Sequence, residues 1–159
     1  MTETTTYPVP AGFADAHITP ERYQTLYEQS LEDPDAFWSQ QAEMLDWREP
    51  WTKVTESDLS TGEARWFVDA KLNVSVNCID RHLPQRAHDT AIIWEGDDPA
   101  DSQSFTYQEL KAQVCRFANV LRSRGVGKGD RVCIYMPMIP EAAFAMLACA
   151  RIGAIHSVV

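Results

Sequence analysis

Cysteine is scarce in this sequence: there are four in 159 residues, with no Cys-x-x-Cys pair. Disulfide scaffolds need a higher density of cysteines, and cysteine-based zinc modules need closely spaced cysteine pairs, so the sequence predicts neither class. Each cysteine falls within a predicted helix or strand, which indicates four buried, reduced thiols: Cys78, Cys115, Cys133 and Cys149. Reduced thiols are typical of cytoplasmic proteins, and we predict that location.

Positive charge is also scarce, with 14 Lys and Arg against 23 Asp and Glu and a net charge of −9. The acidic excess lies early: residues 1–70 hold 4 basic and 14 acidic residues (net −10), and residues 71–159 hold 10 and 9 (net +1). Nucleic-acid binding and attraction to anionic lipid both need a basic face. We therefore predict no nucleic-acid partner and no membrane partner.

Long apolar runs are missing as well. Residues 1–10 have neither the basic nor the apolar region of a secretory signal. The most apolar stretch, residues 132–159, is interrupted by prolines, charges and a glycine. The sequence therefore predicts no membrane span.

The sequence shows no nucleophile beside a base and no ligand spacing that suits a metal. His82, His88 and His156 are therefore predicted to be structural. The glycine-rich residues 125–129 follow a predicted helix and precede a strand, whereas phosphate-binding loops follow a strand and precede a helix. We predict a plain turn there.

One predicted loop lies where open α/β sheets bind ligands. Residues 136–140 follow a predicted parallel strand, and open α/β sheets bind ligands at that end of their strands. The loop supplies thioethers and prolines but no acid or base, so two interpretations stay open: lining of a pocket, or plain packing. Arg81 and Arg151 are expected to pair with carboxylates, or in the case of Arg151 with backbone carbonyls.

Helix start signals occur early in the chain. Thr19-Pro20-Glu21 and Asp33-Pro34-Asp35 each combine a capping side chain, a proline suited to the first turn and an acid. Residues 47–72 are predicted to be irregular, with short extended pieces such as Arg65 to Val68. Asn73 is then predicted to cap a short helix that reaches Leu83. The second helix is predicted to carry these residues along one side: Phe37, Trp38, Gln41 and Leu45.

Four of the five tryptophans lie in this region: Trp38, Trp47, Trp51 and Trp66. Large aromatic side chains bury much area when they pack. We interpret them as anchoring an irregular leader to a larger body, rather than as a ligand-stacking surface.

From Thr90 the pattern becomes α/β. Residues 91–95 predict a strand, and residues 104–106 predict its hairpin partner across an acidic turn. Thr106 and Glu109 form a capping-box pattern. The helix that they open is predicted to present one apolar face, made of Leu110, Val114, Phe117, Ala118 and Leu121.

The last thirty residues predict a strand, a helix and a second strand. Residues 132–135 are apolar, Pro140 suits a helix start, Gly153 suits a helix end, and residues 154–159 return to strand character. This is a βαβ unit of a parallel sheet. Because parallel strands are normally buried between neighbours, we expect the chain to be the N-terminal portion of a longer protein.

The predicted fold class is thus α/β: an irregular, partly helical leader followed by the start of a mostly parallel sheet with helices. Three regions are predicted. Residues 1–18 form a flexible N-terminus, residues 19–89 an acidic, Trp-rich leader, and residues 90–159 the beginning of a large domain.

Several strings resemble the N-terminal portion of the acetyl-CoA synthetase family, the AMP-forming acetate–CoA ligases of the adenylate-forming superfamily. They are Asp33-Pro34-Asp35-Ala36-Phe37-Trp38, Asn77-Cys78-Ile79-Asp80-Arg81-His82-Leu83, Ala91-Ile92-Ile93-Trp94-Glu95-Gly96-Asp97-Asp98, Val114-Cys115-Arg116-Phe117-Ala118-Asn119, and residues 134–159. The resemblance implies that residues 90–159 begin the AMP-binding domain. It also implies that acetate and ATP form acetyl-AMP and pyrophosphate, that CoA then takes the acetyl group, and that Mg²⁺ assists.

In that family the CoA segment, phosphate loop, acyl pocket and catalytic lysine come later than the strings found here. No catalytic, cofactor-binding or metal-binding residue is therefore assigned to this chain. We expect the 159 residues alone to be inactive and to bind ATP, CoA and Mg²⁺ at most weakly. The expected partners are these small molecules, acetate and the remainder of the same chain. Propionyl-CoA synthetase, acetoacetyl-CoA synthetase and a non-catalytic interaction module stay open as alternatives.

Overall fold

The computed structural model describes residues 7–13, 15–58 and 60–159. The chain divides into two units, the first ending at Met44 and the second beginning at Leu45. The helices are α1 (Pro20–Glu32), α2 (Pro34–Ala42), α3 (Val74–Cys78), α4 (Leu83–Arg86), α5 (Tyr107–Ser123) and α6 (Pro140–Ile152). The strands are β1 (Lys53–Asp58), β2 (Glu63–Val68), β3 (Thr90–Glu95), β4 (Ser102–Thr106), β5 (Arg131–Ile134) and β6 (Ile155–Val158). The predicted flexible start, residues 1–18, lies partly outside the described residues.

The first unit consists mainly of the two predicted helices, and their capping is confirmed. The Thr19 hydroxyl accepts the backbone N–H of Arg22 at 3.2 Å, and the Asp33 carboxylate accepts that of Ala36 at 3.0 Å. Each helix begins with proline, whose missing N–H would have no helical partner at that position.

The apolar side predicted for α2 is shorter than expected. The helix ends at Ala42, so Leu45 lies outside it. The prediction that Leu45 belongs to the apolar side of this helix was wrong. The backbone N–H of Glu43 bonds to the carbonyl of Gln40, three residues back, at 3.3 Å. The helical ladder is therefore already tightening at this point.

The second unit contains a hairpin that the sequence predicted only in part. The extended piece predicted at Arg65 to Val68 is confirmed, since it lies within β2, but its pairing with β1 was not predicted. Strands β1 and β2 pair antiparallel, with Thr55 opposite Trp66, inside the stretch predicted to be irregular. Trp47 and Trp51 pack against Phe67 with ring centroids 5.2–5.3 Å apart. These rings form an aromatic cluster rather than an open stacking surface. Whether the tryptophans anchor the chain to a larger body stays a prediction.

The helix predicted from Asn73 to Leu83 is broken. Asn73 does cap α3, but a 3₁₀ turn at Asp80–His82 separates α3 from α4. Ile79 leaves helical geometry with φ −124° and ψ −65°, and its side chain is fully buried. Pro84, which lacks an N–H, could not bond back to Asp80 in a continuous helix. The helical pattern in the sequence is therefore interrupted where Ile79 enters the core and where Pro84 cannot donate a helical hydrogen bond.

Strands β3 and β4 form the predicted antiparallel hairpin, although β4 begins two residues earlier than expected. The helix that follows opens with the predicted capping box. Its Thr106 hydroxyl accepts the Glu109 N–H at 3.2 Å, while the Glu109 carboxylate accepts the Thr106 N–H at 2.8 Å. These reciprocal bonds fix the place where the hairpin becomes a helix.

The core lies mainly between α5 and α6. The apolar face predicted for α5 is confirmed: Leu110, Val114 and Ala118 are buried, and Phe117 and Leu121 pack partly buried beside them. The buried members of this core are Ile79, Leu110, Val114, Ala118, Phe144 and Ala148. Burial of such side chains is the main source of stability in this unit.

The predicted βαβ unit is confirmed. Strands β5 and β6 pair in parallel, with Arg131 opposite Ile155, and α6 connects them. Gly153 ends the helix with φ 77°, and a Cβ there would lie 3.1 Å from Lys128 Cγ. Tyr135, expected within the first strand, instead follows it with 88% of its surface exposed. No helix in the described part of the chain is long and apolar enough to cross a bilayer.

The prediction of four buried cysteines was half wrong. All four are free thiols, but only Cys149 is buried; Cys115 is half-buried, and Cys78 and Cys133 are exposed. Cys133 alternates along β5 with the buried Ile134, which places the two on opposite faces. Membership of a strand or helix therefore did not decide the burial of these thiols.

This difference predicts selective thiol labelling. Burial raises the pKa of the Cys149 thiol above its ordinary 9.0, so little thiolate is present near neutral pH. We expect Cys78 and Cys133 to react with iodoacetamide at least about tenfold faster than Cys149 in the native protein. Peptide mass spectrometry over a labelling time course measures this order. Labelling in guanidinium should abolish the difference, and equal native rates would contradict the prediction.

Candidate functional site

The carboxyl ends of β5 and β6 form the position where open α/β sheets place ligands. Between β5 and α6 runs the carboxyl-edge loop, defined here as residues 135–139. Tyr135 and Met138 are 88% and 91% exposed, so neither side chain packs in the core. The edge therefore presents apolar surface where a ligand would approach.

The carboxyl-edge loop is held through its backbone. The indole N–H of Trp94 on β3 donates to the carbonyl of Met138 at 2.7 Å, across 44 residues of sequence. Within the loop, the Ile139 N–H donates to the Pro137 carbonyl at 2.8 Å. The loop side chains supply no carboxylate, imidazole or ammonium group. The loop therefore offers the Tyr135 phenol with no second ionisable side chain of its own beside it, and its side chains can shape a binding surface without forming an acid–base pair.

A second group of polar side chains lies at the other end of α6. Asp80 accepts hydrogen bonds from Arg151 and from Lys111, whose Nζ lies 3.1 Å away. Arg151 was expected to meet a carboxylate, and this is confirmed. Burial raises the pKa of the Asp80 carboxyl, but the bonds from Arg151 and Lys111 outweigh it and hold the pKa below its ordinary 3.8. An acid held in this way is a poor proton acceptor at neutral pH.

Asn73 extends this group. Its side-chain NH₂ donates to the carbonyls of Ala150 and Arg151, both at 3.1 Å, while its Oδ1 accepts the Val76 N–H at 3.2 Å. One side chain therefore caps the start of α3 and satisfies carbonyls at the end of α6. The arrangement fixes the two helices together, and its groups are directed at one another rather than at a substrate.

Arg81 pairs more loosely. Its guanidinium lies 4.0 Å from the Asp46 carboxylate and donates to the Asn77 side-chain oxygen at 3.1 Å. An open groove of about 1000 Å³ begins beside Asp46 and runs past Lys71 and Lys128. Lys71 is paired there with Glu49 at 2.5 Å. The groove contains charged side chains but no nucleophile beside a base.

The glycine-rich residues 125–129 form the predicted turn. They lie between α5 and β5, with φ of 84° at Gly125 and 87° at Gly129. The Gly127 N–H donates to the Asp130 carboxylate at 2.8 Å, and the Gly129 N–H donates to the Gly153 carbonyl at 2.9 Å. These donors are used within the protein and do not form a phosphate cradle.

The described histidines include one with a clear ring contact. The His82 ring packs 5.3 Å from the Tyr107 ring, a structural contact. Within residues 7–13, 15–58 and 60–159, no three His, Cys, Asp or Glu side chains come together in a way that could hold a metal ion. The acidic turn after β3 is internally bonded, since the Asp98 carboxylate accepts the Ala100 N–H at 2.9 Å.

Two family models match the chain in tandem. The model described as "Acetyl-coenzyme A synthetase N-terminus" matches residues 23–78. The model described as "AMP-binding enzyme" matches residues 79–159, or 81 of the 159 residues. The chain belongs to the AMP-binding enzyme family. This confirms the resemblance found in the sequence.

Curated relatives of this AMP-binding enzyme chain agree. Acetyl-coenzyme A synthetase 2 of Pseudomonas putida is 68% identical over 91% of this chain and 22% of its own length. The acetyl-coenzyme A synthetases of Saccharophagus degradans and Alkalilimnicola ehrlichii are 63% and 60% identical over 96% and 100% of this chain. They are covered over only 24% and 25% of their lengths, so the chain spans about a quarter of these relatives.

A solved structure gives the same result for the fold. Acetoacetyl-CoA synthetase from Streptomyces lividans matches with a TM-score of 0.79 and 31% identity, over 94% of this chain and 23% of that one. The α/β fold class predicted from the sequence is therefore confirmed for this AMP-binding enzyme chain.

The sequence missed two tertiary roles in this chain. Trp94 was predicted only as a strand residue, and Asn73 only as a helix cap. Their partners lie 44 residues away for Trp94 and 77 and 78 residues away for Asn73. No local signal in a single sequence identifies such partners.

Proposed function

We propose that this chain is the N-terminal quarter of an AMP-forming acetate–CoA ligase. The observation that carries the proposal is the 60–68% identity to acetyl-coenzyme A synthetases across nearly the whole chain. The complete enzyme would convert acetate, ATP and CoA to acetyl-CoA, AMP and pyrophosphate through acetyl-AMP. We place it in the cytoplasm, with these small molecules and the rest of its own chain as partners and with no nucleic-acid or membrane partner.

Within that enzyme, this chain would supply scaffold rather than reacting groups. Residues 1–18 would be a flexible start, residues 19–89 the leader, and residues 90–159 the beginning of the AMP-binding domain. Mg²⁺, when bound, would neutralise charge on the departing pyrophosphate. In the acetyl-CoA synthetase family that the chain resembles, the reacting groups come later in the sequence, so we assign this chain no metal ligand and no catalytic residue.

The acyl substrate is the least constrained part of the proposal. Acetate is favoured because the acetyl-CoA synthetases share 60–68% identity with this chain, against 31% for the acetoacetyl-CoA synthetase. Propionate and acetoacetate are the competing acids. A non-catalytic interaction module is the alternative from a different class.

Pyrophosphate exchange into ATP tests the proposal. The protein expressed from the complete coding sequence should incorporate labelled pyrophosphate into ATP when acetate is present, and less with propionate or acetoacetate. Without any acid, incorporation should fall to background.

The 159-residue chain alone is the matched control, and we expect no exchange from it. Acetate-dependent exchange by this chain would contradict the assignment of no catalytic residue. A complete protein that shows no exchange with any of the three acids would contradict the ligase and favour the interaction module. Faster exchange with propionate or acetoacetate would overturn only the choice of acetate.

A further inference from the structure

The best-defined long-range contact near the ligand-binding edge is the hydrogen bond from Trp94 to Met138. Indole nitrogen is a donor only, and a carbonyl oxygen is an acceptor only, so this bond has a single orientation. It ties the β3–β4 hairpin to the loop that leads into α6. Because the acceptor belongs to the backbone, the bond leaves the Met138 side chain, 91% exposed, free to meet a ligand.

The hairpin in turn fixes the indole. On β3 the side chain of Trp94 is half-buried, whereas that of its neighbour Ile93 points the other way and is 77% exposed. Gly96 leaves room for the ring, since a Cβ there would lie 3.1 Å from Trp94 Cη2 and 3.1 Å from the Asp101 carbonyl oxygen. The Gly96 N–H also donates to that carbonyl at 2.7 Å, which closes the turn. Strand β3, the turn at Gly96 and the Trp94 indole therefore pack against one another.

The loop needs such support. The residue before α6, Ile139, provides no side-chain cap for the helix. The loop side chains at Tyr135 and Met138 are exposed and contribute little packing. Met136 and Ile139 are half-buried, so the loop packs only in part through its own side chains. A bond to the Met138 carbonyl therefore adds a restraint at the exposed part of the loop.

We propose that Trp94 is a positioning residue: it holds the carboxyl-edge loop in the conformation in which the ligase binds its substrates. The role in substrate binding rests on the proposed function, whereas the support of the loop rests on the described geometry. Trp94 itself touches no substrate in this proposal. It acts through the Met138 carbonyl.

The test uses the protein from the complete coding sequence with two variants that disturb the contact from opposite sides. Trp94→Phe removes the donor but keeps an aromatic ring. Gly96→Ala keeps the donor but places a methyl group against the ring. Ile93→Ala, on the same strand and the opposite face, is the matched control.

Amide hydrogen exchange gives the direct readout. Both variants should exchange roughly 3- to 10-fold faster than Ile93→Ala in peptides covering residues 135–139, the effect expected for loss of one hydrogen bond. Peptides from α5 should be unchanged. Loop exchange equal to that of the control in both variants would overturn the proposal, because the bond would then not hold the loop.

Kinetics separate positioning from general stability. Both variants should lower kcat/KM, calculated per folded protein, and the factor should be similar for the two. Their unfolding midpoints should equal that of Ile93→Ala. Unchanged kcat/KM, or a loss that disappears after correction for unfolded protein, would overturn the role at the site. If the unsubstituted protein shows no activity with acetate, propionate or acetoacetate, the ligase proposal fails, and loop exchange still decides whether Trp94 holds the loop.

Discussion

Replacement of Phe144 by alanine should lower the free energy of unfolding by about 3–5 kcal/mol. Phe144 is 4% exposed, lies in the core between α5 and α6, and meets the edge of the Phe105 ring at a centroid distance of 5.2 Å. Removal of the ring loses its burial and leaves a cavity that a close-packed core fills only in part. Urea unfolding followed by circular dichroism measures the change.

Val120→Ala is the control for that measurement. Val120 lies on α5 but is 56% exposed, so its truncation should change stability by no more than about 0.5 kcal/mol. If Phe144→Ala does not fold, Phe144→Leu removes less of the side chain and should lower the free energy of unfolding by a smaller, measurable amount. Equal effects of Phe144→Ala and Val120→Ala would show that the α5–α6 core does not support the unit.

Asp80→Asn should cost about 2–3 kcal/mol at pH 7, the second-largest effect expected. The change keeps the shape of the side chain but removes the charge that faces Arg151 and Lys111. The side chains of Asp80 and Arg151 are only 23% and 20% exposed, so water replaces the lost partner poorly. Chemical unfolding of both proteins at pH 7 gives the difference directly.

Two comparisons sharpen this result. Arg151→Met combined with Asp80→Asn should cost less than Asp80→Asn alone, because no part-buried charge is then left without its partner. Glu56→Gln breaks the exposed pair with Arg65 and should cost no more than about 1 kcal/mol. An Asp80→Asn effect no larger than that of Glu56→Gln would contradict a structural role for the network.

The same network predicts a pH dependence. The pKa of Asp80 is lowered in the folded protein, so its stabilising effect is fully present above the unfolded value, near 3.8. It is lost as the pH falls through the lower, folded value. The difference in unfolding free energy between the unsubstituted protein and Asp80→Asn should therefore shrink below about pH 4.

Local sequence signals succeeded where a few neighbouring residues contain the whole interaction. The caps at Thr19 and Asp33, the capping box at Thr106 and the left-handed Gly153 each involve partners within three or four residues. The position of the carboxyl-edge loop was also predictable, because a loop after a parallel strand lies at the carboxyl edge of its sheet by definition. That a plain turn, not a phosphate cradle, occupies residues 125–129 followed from element order alone.

The sequence by itself thus determined the βαβ order, most helix starts and the family. Tertiary structure alone decided that Ile79 is fully buried, that Cys133 is exposed, that Asp80 is the partner of Arg151, and that the Trp94 indole donates to the Met138 carbonyl. The physical reason is range. Helix caps and turns depend on torsions and hydrogen bonds among adjacent residues, whereas burial and long-range pairing depend on which surfaces meet after the chain has folded.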